Sequence, residues 1–159
     1  LLTRGTPTTP VGYRTWNTLT LEAGTPLFDT ELVGRIPNVA GVRNALDFEK
    51  GCYVGQEVVS RVENRGRPSK RFVGLTVEAV PDAGAAVFAG DSAVGEVTRA
   101  VDSPDREVPI ALAVVDFETD DQNLTVRVDG AEVAASATEL PFVDGSDVSA
   151  RVPSYPGAE

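Results

Sequence analysis

The sequence predicts an α+β fold, mostly β, with a helix-bearing N-terminal part followed by a small antiparallel β-barrel. Three observations predict it. Before Gly66, apolar residues recur at helical spacing. Beyond Gly66 the period changes to two. Near the end, the step Asp129-Gly130 joins two alternating runs, which is the signal of a hairpin with a primed turn.

In order, Leu1 to Gly12 carries Thr and Pro without a period and reads as loop. From Arg14 to Ala23, Trp16, Leu19 and Ala23 fall at helical spacing with Gly24 as a stop, so a short helix is expected. Phe28 to Val42 mixes Gly34, Pro37 and Gly41 with scattered apolar residues and reads as loop with a turn of helix. Val58, Val59 and Val62 among polar neighbours suit one face of a second helix that stops at Gly66. Strands are expected at Phe72–Val77, Val94–Thr98 and Ile110–Val115, and in the hairpin Leu124–Val128 with Ala131–Ala135. Many short strands split by Gly, Pro and Asp turns suggest a closed barrel. The expected organisation is residues 1–66, then a barrel over 67–145, then a mobile tail over 146–159.

Composition narrows the chemistry. With 159 residues there is room for one compact domain or two small ones. No methionine is present, so Leu1 is read as lying inside a longer chain whose N-terminal part precedes it. No run of about 18 apolar residues appears, so no transmembrane helix is expected, and no secretory signal pattern opens the chain. A single cysteine forms no internal disulfide, which points to an intracellular, cytoplasmic protein, expected to be a monomer. The net charge is −10, from 24 acidic residues spread along the chain against 14 basic ones. That excess fits adaptation to high internal salt, where self-repulsion is screened, and it excludes general nucleic-acid binding, which needs positive charge. A local basic patch is expected around Arg61, Arg65, Arg67, Lys70 and Arg71. There is no histidine, which excludes Ser-His-Asp and Cys-His catalysis within this chain. One cysteine alone holds neither zinc nor an iron–sulfur cluster, so no resident metal is expected.

The chemistry concentrates in Lys50-Gly51-Cys52-Tyr53-Val54-Gly55-Gln56-Glu57. This stretch reads as a tight loop feeding a helix N-terminus, where unpaired N–H groups and the helix dipole favour an anion. A thiol there, close to an ammonium, should ionise more readily than a free cysteine. Gly51 and Gly55 let the backbone approach a ligand or take up positive φ. The bland readings are a buried small cysteine, a solvated lysine, and first-turn residues Gln56 and Glu57 that stabilise the helix end.

The run KGCYVGQE resembles the signature of the YgfZ family, folate-binding relatives of the glycine-cleavage T-protein (aminomethyltransferase). Every defined position of Lys-Gly-Cys-Phe/Tyr-x-Gly-Gln-Glu is matched. Leu19-Thr20-Leu21-Glu22-Ala23-Gly24-Thr25-Pro26-Leu27 is similar to a T-protein and YgfZ segment, roughly Leu-Arg-Leu-Glu-Ala-Gly-x-Pro-Leu. T-proteins commonly carry Arg-Asp at Trp16-Asn17, and the tryptophan is more similar to the YgfZ branch. Gly95 to Val115 resembles the C-terminal T-protein barrel.

The resemblance implies that residues 1–66 end an aminomethyltransferase-type folate-binding domain, with tetrahydrofolate or a derivative as cofactor. It implies a role in assembling or repairing iron–sulfur proteins as partners, including enzymes that modify tRNA. Lys50 and Cys52 are then the catalytic candidates, with Cys52 as nucleophile, redox-sensitive group or transient ligand to a delivered cluster. Gly51, Tyr53, Gly55, Gln56 and Glu57 shape the loop at the cofactor. Trp16 and Glu22 are further contacts, the first by stacking on a pterin and the second by accepting its paired N–H groups. Arg61, Arg65, Arg67 and Arg71 suit a polyglutamyl tail or an RNA backbone, against the plainer reading of solvated charges. Two alternatives stay open: a genuine aminomethyltransferase, a folate-dependent transferase, and a non-enzymatic folate-binding scaffold.

Overall fold

A computed structural model describes residues 9–42, 45–47 and 49–145. The tail over 146–159 lies outside the described residues. The element order is α1 (Tyr13–Glu22), a π-helical turn (Phe28–Leu32), α2 (Pro37–Ala40) and α3 (Gln56–Arg65). Six strands follow: β1 (Lys70–Val77), β2 (Ala86–Ala89), β3 (Ser92–Ser103), β4 (Val108–Asp116), β5 (Leu124–Val128) and β6 (Ala131–Thr138).

The strands close into an antiparallel barrel in the order β1-β4-β3-β2-β5-β6. The mostly-β barrel is therefore as the alternation implied. Between β5 and β6, Asp129 and Gly130 have φ of 49° and 84°, the two positive values that a type I′ turn needs. Strand β2 had not been expected. Its four residues, Ala-Val-Phe-Ala, are too few to show a period. Strands β1, β3, β4 and β6 run further than the sequence pattern suggested.

Two apolar clusters hold the fold. Inside the barrel, Val73, Leu75 and Val77 of β1 meet Ala111, Ala113 and Val115 of β4, with Val87, Val97, Leu124 and Val126. Outside it, Ile110, Leu112 and Val114 of β4 pack with Leu21 of α1, Val39 and Ala40 of α2, Phe72 and Phe142. β4 is thus buried on both faces, which is why it reads as a continuous apolar run. The inner residues are small and the outer ones large, as a narrow interior demands.

The helix-bearing segment is an arm laid on this outer face. Three contacts along β3 fasten it. Arg35 reaches Glu96 at 3.4 Å. Arg99 pairs with Glu31 at 2.9 Å. The Ser103 hydroxyl donates to Glu22 at 2.5 Å. The expected basic patch is neutralised where it can be seen: Arg61 pairs with Glu57, Arg67 with Glu118, Lys70 with Asp116 and Arg71 with Asp121.

Gly95 marks the closest approach in the barrel. A Cβ there would collide with the Val114 carbonyl oxygen and lie 2.7 Å from the Val115 Cα, both backbone atoms that cannot swing aside. Gly95→Ala should therefore cost about 1–3 kcal/mol, read as a lower urea midpoint at an unchanged slope. An unchanged midpoint would show that β3 and β4 have room to part.

Candidate functional site

Gly55 caps α3 with φ of 90°, a left-handed value that favours glycine. No side chain caps this end in the usual way. Instead Gln56 folds back, and its Oε1 accepts the Tyr53 N–H at 3.1 Å. Further back, the Asp47 carboxylate accepts the N–H groups of Glu49 and Lys50 at 2.9 and 3.2 Å. These three side-chain-to-backbone contacts fold the loop before α3. The Lys50 ammonium rests over the Tyr53 ring, 4.9 Å from its centroid.

Beside this loop runs an open groove of about 680 Å³ along one face of α3. Of the predicted residues it brings together Lys50, Tyr53, Gln56 and Glu57. Cys52, Gly51 and Gly55 do not line it, nor do Trp16 and Glu22. The cavity therefore belongs to the neighbours of Cys52. The thiol itself is exposed, so the reading of Cys52 as a buried small hydrophobe does not hold. Gly51 lacks a positive φ, and a Cβ added there would meet nothing within 4 Å, so neither strain nor crowding requires glycine at that position.

Sequence reasoning missed four groove residues, Asp47, Ser60, Glu63 and Asn64. Gln56, Ser60, Glu63 and Asn64 recur at helical spacing, a signal that was present as one polar face. The opposite expectation, that Val58, Val59 and Val62 share a buried face, holds for Val59 and partly for Val62. Val58 is 49% exposed. Asp47, Glu57 and Lys50 line the groove together, so it presents both carboxylates and an ammonium. Glu57 is already engaged by Arg61 at 2.7 Å, but both side chains are largely exposed and screened.

The two outlying candidates sit on α1. Trp16 is 54% exposed and free to stack. Glu22 is buried, and its Oε1 accepts both the Ser103 hydroxyl and, at 3.3 Å, the Asp105 N–H. These contacts tie α1 to the β3–β4 turn. Among the described residues no group of three or more Cys, Asp or Glu side chains could hold a metal ion, and no helix is long and apolar enough to cross a membrane.

Residues 70–144 match the family model of the glycine cleavage T-protein C-terminal barrel domain. This barrel belongs to the glycine cleavage T-protein family. The chain is 36% identical over 142 residues to an aminomethyltransferase of Streptomyces coelicolor and 39% identical over 145 residues to one of Cutibacterium acnes. The matches cover 84% and 87% of this chain and 38% of each relative. The glycine cleavage system aminomethyltransferase T of Bartonella henselae is similar in structure, with a TM-score of 0.74 at 26% identity over 84% of this chain and 39% of that one. The chain thus spans about two fifths of the length of these T-protein relatives. Their shared name, aminomethyltransferase, favours the T-protein reading over the YgfZ branch that the Lys50–Glu57 stretch had put first.

Because nothing covers Cys52, iodoacetamide should modify it in the native protein within about threefold of its rate in the urea-unfolded chain. Protection of about tenfold or more, on the same order-of-magnitude scale, would mean that the thiol is shielded.

Proposed function

We propose that this chain is the C-terminal part of a tetrahydrofolate-dependent aminomethyltransferase, which moves a methylene from a lipoyl-bound aminomethyl group to tetrahydrofolate. The observation that carries this reading is the T-protein barrel with its helical arm, shared with an aminomethyltransferase over 84% of the chain. The residues fit the cofactor in part. Trp16 offers an exposed ring for a flat heterocycle, and the carboxylates of Asp47 and Glu57 suit its adjacent N–H donors. Glu22 fits less well, since Ser103 and Asp105 already hold its oxygen. Tetrahydrofolate supplies the one-carbon acceptor; this chain's residues bind and orient it.

A second reading is favoured by one specific feature. The Lys50–Glu57 stretch places an exposed thiol two residues from an ammonium at the start of α3, and T-protein chemistry as stated gives that thiol no task. On this reading the protein is YgfZ-type, supporting iron–sulfur cluster assembly or repair and tRNA modification, with Cys52 and Lys50 as the working groups. A scaffold that binds folate without turnover is the third outcome.

The full-length protein with lipoylated carrier and tetrahydrofolate distinguishes them. Aminomethyl transfer predicts methylenetetrahydrofolate formation that Cys52→Ala changes by no more than about twofold. Absent turnover, with folate still bound and iron–sulfur enzyme activity lost in cells carrying Cys52→Ala, establishes the second reading instead. Folate binding with neither effect leaves the scaffold.

A further inference from the structure

Arg99 stands on a bulge. Val97 and Ala100 both face the barrel interior although they are three residues apart, where strict alternation would turn Val97 and Arg99 inward together. A register shift between Val97 and Arg99 absorbs the extra residue. It turns Arg99 outward, onto the arm.

There the guanidinium is 7% exposed and its partner Glu31 is 0% exposed. Nε donates to Glu31 Oε1 at 2.9 Å. One terminal nitrogen donates to Asn17 Oδ1 at 3.1 Å and Thr20 Oγ1 at 3.0 Å, and the other to the Thr25 carbonyl at 2.8 Å. Glu31 in turn accepts the Leu27 N–H at 2.7 Å. The fork therefore grips α1 on both sides of one turn, the strand of chain that leaves α1, and the π-helical turn. A buried pair of this kind is weak evidence for stability, because apolar replacements often do as well. What a planar fork adds is a fixed geometry.

The geometry it fixes is that of α1. Asn17, held by Arg99, is the immediate neighbour of Trp16, and Tyr13 and Trp16 stand exposed on the same helix. We propose that Arg99 is a positioning residue: through Asn17 and Thr20 it sets the orientation in which α1 presents Trp16 to the bound ligand. The proposal rests on the folate reading of Trp16 given above.

The test uses full-length protein carrying Arg99→Lys, which keeps a positive charge beside Glu31 and loses the fork. Two quantities are read in the folded variant: amide hydrogen exchange and tetrahydrofolate affinity. The α1 reporters are the N–H groups of Ala23 and Thr25, which donate to the Leu19 and Thr20 carbonyls. Their exchange should rise about tenfold while β4 amides keep their rates, and affinity should fall about tenfold. If α1 and β4 amides accelerate together, Arg99 serves overall stability only and the proposal is overturned. Unchanged affinity with a loosened α1 overturns it as well. Wild-type protein that binds no tetrahydrofolate removes the folate reading instead, and the exchange ratio then still decides whether Arg99 holds α1.

Discussion

The double burial of β4 constrains everything packed around it. Ala111, Ala113 and Val115 fill the barrel, while Ile110, Leu112 and Val114 must be covered from outside. A six-strand ring leaves no free edge to do that covering, so it falls to the arm: Leu21 from α1 and Val39 and Ala40 from α2. Apolar contact alone would let the arm slide, since such packing is non-directional. The polar contacts at Glu96, Arg99 and Ser103, spaced along one strand, set its register. Hydrophobic burial decides that the arm lies on the barrel, and β3 decides where.

Much of this was legible in the sequence, and the reasons are local. The primed turn at Asp129-Gly130 needs two positive φ values, and the residue types announce it. β4 announces itself because both its faces are apolar. The helix bounds at Tyr13–Glu22 and Gln56–Arg65 follow from spacing and from the glycines beside them. What stayed hidden depends on partners far away in the chain. Glu31 and Arg99 are 68 residues apart and Glu22 and Ser103 are 81 apart, so neither pair leaves a pattern in any window. The burial of Glu22 left no sign in the sequence because it is decided by the β3–β4 turn. Arg67 and Arg71 read as part of a basic patch because their partners, Glu118 and Asp121, come from the β4–β5 connection.

The groove was half legible for the same reason. Lys50, Tyr53, Gln56 and Glu57 are near in sequence and remain near in space. Asp47 joins them because its carboxylate accepts two N–H groups of the loop, and Ser60, Glu63 and Asn64 because a helix repeats its faces. The thiol departs from this group. Cys52 does not line the cavity, which opens toward Lys50 and Tyr53.

The barrel and the loop speak to different parts of the question. The family match runs from residue 70 to 144, and the Lys50–Glu57 stretch lies wholly outside it. A barrel of this kind fixes ancestry and the platform on which the arm rests, while chemistry resides in the side chains that the platform presents. Those side chains precede the barrel: Trp16 on α1, and Lys50, Cys52, Tyr53 and Glu57 ahead of and within α3. The two groups are also held differently. α1 is fastened to β3 by buried, charge-assisted bonds. α3 packs on α2 instead, with Val59 buried and the Asn38 amide donating to the Val59 carbonyl at 3.5 Å. The exposed aromatic face and the acidic groove therefore stand on separately anchored helices. The two readings of the site part company over whether Cys52 takes part.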